Sequence, residues 1–162
     1  MVASAYAAHV ARRGADYGFN ISGDVTVDMQ KVKARKDQIV NKSSSSVESW
    51  LRDNKNITVF KGHARFVSPK EVEVDGNRLT ADKFFINAGG RARIPDMPGV
   101  DQIPYLTNSS MMEVDFLPRH LVVVGGSYIG LEFGQMFRRF GSEVTIIEMG
   151  SRLIGREDPD VS

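Results

Sequence analysis

Three hydrophobic patterns follow one another along the chain. Over residues 1–51 apolar positions recur at helical spacing; between 57 and 87 they come in short runs broken by turn residues; from 121 to 147 two apolar runs flank a helical stretch. The first pattern predicts a helix over 3–13, stopped by Gly14, and a loop from Gly18 to Gly23. A long helix is then expected from Met29 to Leu51, N-capped by Asp28. Its apolar stripe is Met29, Val32, Ile39, Val40, Val47, Trp50 and Leu51, and Ser43–Ser46 read as a solvated face rather than a break. The second pattern predicts strands at 57–60, 64–67, 71–75 and 78–80, the last two joined through Asp75-Gly76-Asn77, and a buried strand at 83–87. Residues 91–118 carry Pro95, Pro98, Gly99 and Pro104 without a strong period and read as a connecting segment.

The third pattern is the most informative. Leu121–Val124 form a continuous apolar run, as expected of a parallel strand buried on both faces, and Val144–Ile147 resume a buried strand. Between them Ile129, Phe133, Met136, Phe137 and Phe140 keep helical spacing, and Gly141 stands where a helix C-cap belongs. Strand, glycine turn, helix, strand and the acid Glu148 together form the local signature of a dinucleotide-binding unit. Glycines let backbone N–H groups approach a diphosphate, and the helix N-terminus adds partial positive charge there. Glu148 can accept hydrogen bonds from both ribose hydroxyls. The triplet reads Gly125, Ser127, Gly130, so the middle glycine is replaced by a serine whose hydroxyl could itself reach a phosphate. The bland reading is a non-binding βαβ piece whose glycines serve only close packing.

Composition removes several classes of function. A net charge of +1 gives no electrostatic reason to expect nucleic acid or membrane partners. With no cysteine, no disulfide, thiolate metal site or cysteine nucleophile can be built from these residues, and His9, His63 and His120 are too scattered to suggest a metal site. The N-terminal residues lack a signal-peptide pattern and no apolar run is long enough to span a membrane, so a cytoplasmic location is expected.

The order of the motifs resembles the pyridine nucleotide-disulfide oxidoreductases, the flavoprotein family that contains dihydrolipoamide dehydrogenase, glutathione reductase and mercuric reductase. LTADKFFINAGGRARIPDMPG resembles the family's strand, Ala-Thr-Gly turn and Pro-rich crossover. VVVGGSYIGLEFGQMFRRFGSEVTIIE resembles its NAD(P) half, and LIGREDPDVS the segment after it. The flavour is mercuric reductase-like or dihydrolipoamide dehydrogenase-like. The resemblance implies an α/β fold: a partial FAD-binding domain with a small antiparallel meander over 1–110, then the start of a Rossmann-type NAD(P)-binding domain over 111–162. It also implies an internal fragment, with the FAD fingerprint and redox CxxxxC pair preceding Met1 and the dimerisation domain, with its His/Glu pair, following Ser162. No catalytic residue is then expected here, and the chain alone is expected to be inactive. The alternative is a naturally short, non-catalytic nucleotide-binding or interaction module.

Site residues carried over from the resemblance fall into two sets. Gly62, His63 and Ala64 correspond to a loop whose backbone contacts the FAD adenine. Ala88, Gly89 and Gly90 stand at the Ala-Thr-Gly turn, with its threonine lost. Gly125, Gly126, Ser127, Tyr128, Ile129, Gly130 and Glu148 form the NAD set. Within it Tyr128 corresponds to a gate beside the flavin, and Glu132 to a glutamate that contacts the nicotinamide amide. Without the resemblance, Tyr128 is an ordinary helix-start aromatic and Glu132 an ordinary helix carboxylate. In the full-length parent, implied to be a homodimer, hydride would pass from NAD(P)H through flavin to a redox disulfide and on to an acceptor, whether disulfide, mercuric ion, lipoamide or quinone. A carboxylate at the ribose repels a 2′-phosphate and so favours NAD over NADP, while Arg152 and Arg156 could reverse that preference.

Overall fold

A computed structural model describes residues 1–162, which divide into two compact units, 1–39 with 96–162 and 40–95. In the first unit, helix α1 (Val2–Arg12) is followed by a 3-10 turn at Gly14–Tyr17. Gly14 does not serve as a left-handed cap. It is buried against Phe19, and a methyl group there would lie 2.7 Å from the Phe19 ring, so its role is close packing. Helix α2 (Met29–Arg52), of which residues 29–39 belong to this unit and 40–52 to the other, begins where expected, with Asp28 Oδ1 accepting the Lys31 N–H at 3.1 Å as an N-cap. It runs unbroken and solvent-exposed through Ser43–Ser46. Of the expected stripe, Met29 and Val32 are buried, whereas Ile39, Val40, Val47 and Trp50 are exposed.

The C-terminal part of this unit is the βαβ segment: β4 (His120–Val124), α4 (Tyr128–Phe140) and β5 (Glu143–Ile147), with β4 and β5 paired in parallel from His120↔Glu143 to Val124↔Ile147. The expectation that the first strand is buried on both faces, and the second buried, is corrected. Leu121, Val123, Val144 and Ile146 are half-buried on one face, while Val122, Val124 and Ile147 are each 52% exposed on the other. A continuous apolar run cannot distinguish the two cases, because its composition is the same on both faces.

The core of the unit gathers Ala5, Met29, Val32, Met111, Val114, Met136, Phe137 and Phe140, with the Phe137 and Phe140 rings edge to face at 5.8 Å. Met111 and Val114 come from the connecting segment, which contains the short helix α3 (Asn108–Met111). Two polar devices hold this arrangement. Arg12 donates to the carbonyls of Phe140 (3.2 Å), Val25 (3.1 Å) and Arg139, which places a cation on the orphan carbonyls that end α4. Lys36, almost fully buried, and Lys33 pair with Asp37 and with Glu113, which follows α3.

The second unit is a meander of β1 (Ala64–Ser68), β2 (Glu71–Val74) and β3 (Asn77–Thr80), antiparallel in that order. Asp75 (φ 46) and Gly76 (φ 81) make the two-residue turn between β2 and β3, both with the positive φ that a type I′ hairpin requires. The strands expected at 57–60 and 83–87 do not form. No partner strand runs beside either, and an unpaired strand leaves its N–H and C=O groups to water. Phe84 instead packs its ring on Phe66 of β1 at 5.2 Å, and Phe85 is left 87% exposed.

Two outcomes follow for stability. Arg12→Ala should cost about 1–3 kcal/mol in urea denaturation, because the last carbonyls of α4 lose a charged donor. The lysine–carboxylate cluster holds the Asp37 and Glu113 carboxyls below their ordinary range, chiefly through hydrogen bonds from Lys33 and Lys36. Its contribution is therefore present above about pH 4 and is lost as pH falls through the depressed values. The Tm difference between wild type and Glu113→Gln should be clear at pH 7 and close progressively below about pH 4.

Candidate functional site

The bend from β4 into α4 is shaped by what a side chain would strike. Gly125 adopts φ 109 and donates its N–H to the Ile147 carbonyl at 2.8 Å, extending the parallel pairing into the turn. A methyl group on Gly130 would overlap the Gly125 carbonyl oxygen, so the third glycine permits the close approach of helix to strand. Ser127 is the N-cap of α4 in extended conformation (φ −87, ψ 178), and its side chain makes no capping bond. The N–H groups of Tyr128, Ile129 and Gly130, in the first turn, have no intrahelical acceptor by the geometry of any α-helix. Tyr128 is 70% exposed and Glu132, one turn on along the same face, is exposed as well, so this helix end is open.

Glu148 faces the bend. Its Oε2 accepts the Gly126 N–H at 2.7 Å and its Oε1 accepts the Gly150 N–H at 2.8 Å. The Gly150 bond, then the Gly126 bond, hold this carboxyl below its ordinary range, so it is charged at neutral pH. A carboxylate offers about four lone-pair positions, and the two bonds leave room for hydroxyl donors. The chain then turns back: Leu153 lies over Gly126, and the Ile154 N–H donates to the Gly126 carbonyl at 2.9 Å. The Arg152 guanidinium is engaged with the carbonyls of Gly155 (3.2 Å) and Glu157 (3.4 Å). The sequence reading missed Leu153, Ile154 and Gly150. The one signal was an apolar pair in an otherwise polar tail.

The structure thus brings Gly125, Gly126, Ser127, Tyr128, Ile129, Gly130 and Glu148 together around one helix N-terminus. The other set lies in the unit 40–95. Gly62, His63 and Ala64 are exposed and lead into β1, and a methyl group on Gly62 (φ 150) would overlap the Asp75 carboxylate. Ala88, Gly89 and Gly90 are exposed, with open space beside both glycines. No group of three or more His, Asp or Glu is placed to hold a metal ion, and no helix is long and apolar enough to cross a membrane.

Residues 3–162 match the family described as pyridine nucleotide-disulphide oxidoreductase. The chain belongs to this family. Its members are FAD-dependent oxidoreductases that use nicotinamide dinucleotides. Mercuric reductase of Bacillus cereus is 36% identical over 154 residues, covering 95% of this chain and 24% of that protein. Dihydrolipoyl dehydrogenase of Acholeplasma laidlawii is 33% identical over 162 residues, covering 98% of this chain and 48% of that protein. The solved HOCl-induced flavoprotein disulfide reductase RclA from Escherichia coli superimposes with a TM-score of 0.77 at 33% identity, over 95% of this chain and 33% of that one. The chain thus spans between about a quarter and a half of the length of these relatives.

The glycines differ in what they must accommodate, which gives a direct check. Gly130→Ala should destabilise by about 1–3 kcal/mol, as overpacking against backbone does. Gly90→Ala, beside open space and without a positive φ, should stay within about 0.5 kcal/mol of wild type. Chemical denaturation reads both, and amide exchange across α4 reads the first.

Proposed function

We propose that residues 111–162 supply the nicotinamide-dinucleotide half, and residues 1–110 part of the FAD-binding half, of an FAD-dependent oxidoreductase of which this chain is an internal segment. The observation that carries this reading is the Glu148 carboxylate, charged and held at the Gly126 N–H beside the open N-terminus of α4. A diphosphate on the first-turn N–H groups of α4 meets the positive end of the helix. A ribose one step away meets an acceptor with free lone pairs. Tyr128 and Glu132, exposed on the face that rises from the same turn, line the side where a nicotinamide would lie. The family resemblance gives the exposed backbone at Gly62–Ala64 and Ala88–Gly90 to FAD.

Bound together, the two cofactors would supply hydride transfer from the nicotinamide to the flavin, and from there to a disulfide. This chain's residues bind and orient. None of them is a thiol or a disulfide, since the sequence has no cysteine. NAD is the preferred dinucleotide in this reading. The carboxylate at Glu148 repels a 2′-phosphate, and Arg152, one of the two arginines that could offset it, is spent on main-chain carbonyls.

The test is a fluorescence titration of the full chain with NADH and NADPH. Glu148→Ala should raise the Kd for NADH by about 10- to 100-fold, as loss of hydrogen bonds to a charged group does. The Kd for NADPH should change less. A preference that survives the substitution rules out the ribose role.

A further inference from the structure

A glutamate side chain has three rotatable bonds, so a carboxylate that selects between two dinucleotides must be held in place by something other than its own stem. Here both oxygens are fixed by main-chain donors. One of those donors, the Gly126 N–H, belongs to a peptide that is itself gripped. Gly126 is buried although its neighbours Ser127 and Tyr128 are exposed. Leu153 occupies the space where a side chain on residue 126 would go, and the Ile154 N–H takes the Gly126 carbonyl at 2.9 Å. The turn that carries Leu153 and Ile154 is closed by Arg152 on Gly155 and Glu157. The Gly126 peptide is therefore bonded on both sides, to Glu148 through its N–H and to the returning chain through its carbonyl.

We propose that Leu153 and Ile154 are positioning residues for dinucleotide selectivity: by clamping the Gly126 peptide they fix the Glu148 carboxylate toward the ribose, so that the preference for NAD over NADP depends on a side chain that touches neither cofactor. This rests on the nucleotide reading above. Leu153 is 38% exposed and lies outside the buried core, so shortening it loosens the clamp while leaving the packing around Phe137 and Phe140 intact. A loosened Gly126 peptide lets the carboxylate sample other rotamers, which weakens the dinucleotide that accepts its help. The one that is repelled loses nothing.

The experiment titrates the full chain with NADH and with NADPH in four forms: wild type, Leu153→Ala, Leu153→Met and Glu148→Gln. Leu153→Ala should raise the Kd for NADH by about three- to tenfold, the size of one net hydrogen bond. The Kd for NADPH should hold steady or fall, and Leu153→Met, which keeps the volume over Gly126, should restore the wild-type ratio. A parallel rise in both constants would mean that Leu153 acts only on folding and would overturn the proposal. So would an unchanged ratio in Leu153→Ala while Glu148→Gln abolishes the preference; in that case the nucleotide site stands and only the positioning role falls. Failure of the wild type to bind either dinucleotide, or a Glu148→Gln ratio equal to that of wild type, would instead remove the nucleotide reading and the positioning role with it.

Discussion

The contact on which the rest of this unit depends is the approach of α4 to the end of β4, where the Gly125 carbonyl lies against the Cα of Gly130. Only glycine fits on the helix side of that contact. Its consequence is geometric: the helix axis is drawn over the strand so that its first-turn N–H groups open at the C-terminal edge of the parallel pair, the place where α/β proteins bind ligands. The same approach lets Val144 and Ile146 of β5 reach the Gly134 side of α4, within 3.5 Å and 3.2 Å of where its side chain would start, so a second small residue keeps the helix close along its length. Arg12 then secures the far end by occupying the last carbonyls, and α1 and α4 share the core through Ala5, Phe137 and Phe140.

How much of this was legible in the sequence depended on whether a residue's neighbours were close along the chain. The β4-α4-β5 segment, the Asp28 cap, the length of α2 and the Asp75-Gly76 hairpin are set by local chemistry, and each appears within a residue or two of its expected place. Strands 57–60 and 83–87 failed because a strand is a claim about a partner, and periodicity says nothing about whether one is there. Lys36 shows the converse: a charge on the apolar stripe of α2 is buried because Asp37 and Glu113, the latter 77 residues away, neutralise it. Met111 and Val114 were hidden in a Pro-rich stretch of no clear period, yet they are core residues.

The candidate site divides along the same line. The glycines, Ser127 and Glu148 were visible because a bend that admits main-chain donors restricts residue type at fixed spacing. Gly126 was visible too, but for a different reason from the one the motif gives: it is small because the returning chain covers it. Leu153 and Ile154 carry no motif. Their contact with Gly126 comes from a fold-back that follows the second strand, and only coordinates show where such a turn goes.

In the proposed reading, selectivity turns on which cation stands near Glu148. A carboxylate and a phosphate charge about 4 Å apart repel by about 4 kcal/mol at the effective dielectric of a protein surface. That exceeds what a ribose hydrogen bond contributes, so on the proposed ribose role Glu148 would disfavour a 2′-phosphate unless a guanidinium offset it. Arg152 would have to give up two carbonyl contacts and unfasten the turn that keeps Leu153 over Gly126. On the proposed reading, Arg152 reaches a phosphate only by loosening the contact that holds the Gly126 peptide, so this one residue cannot serve both preferences at once.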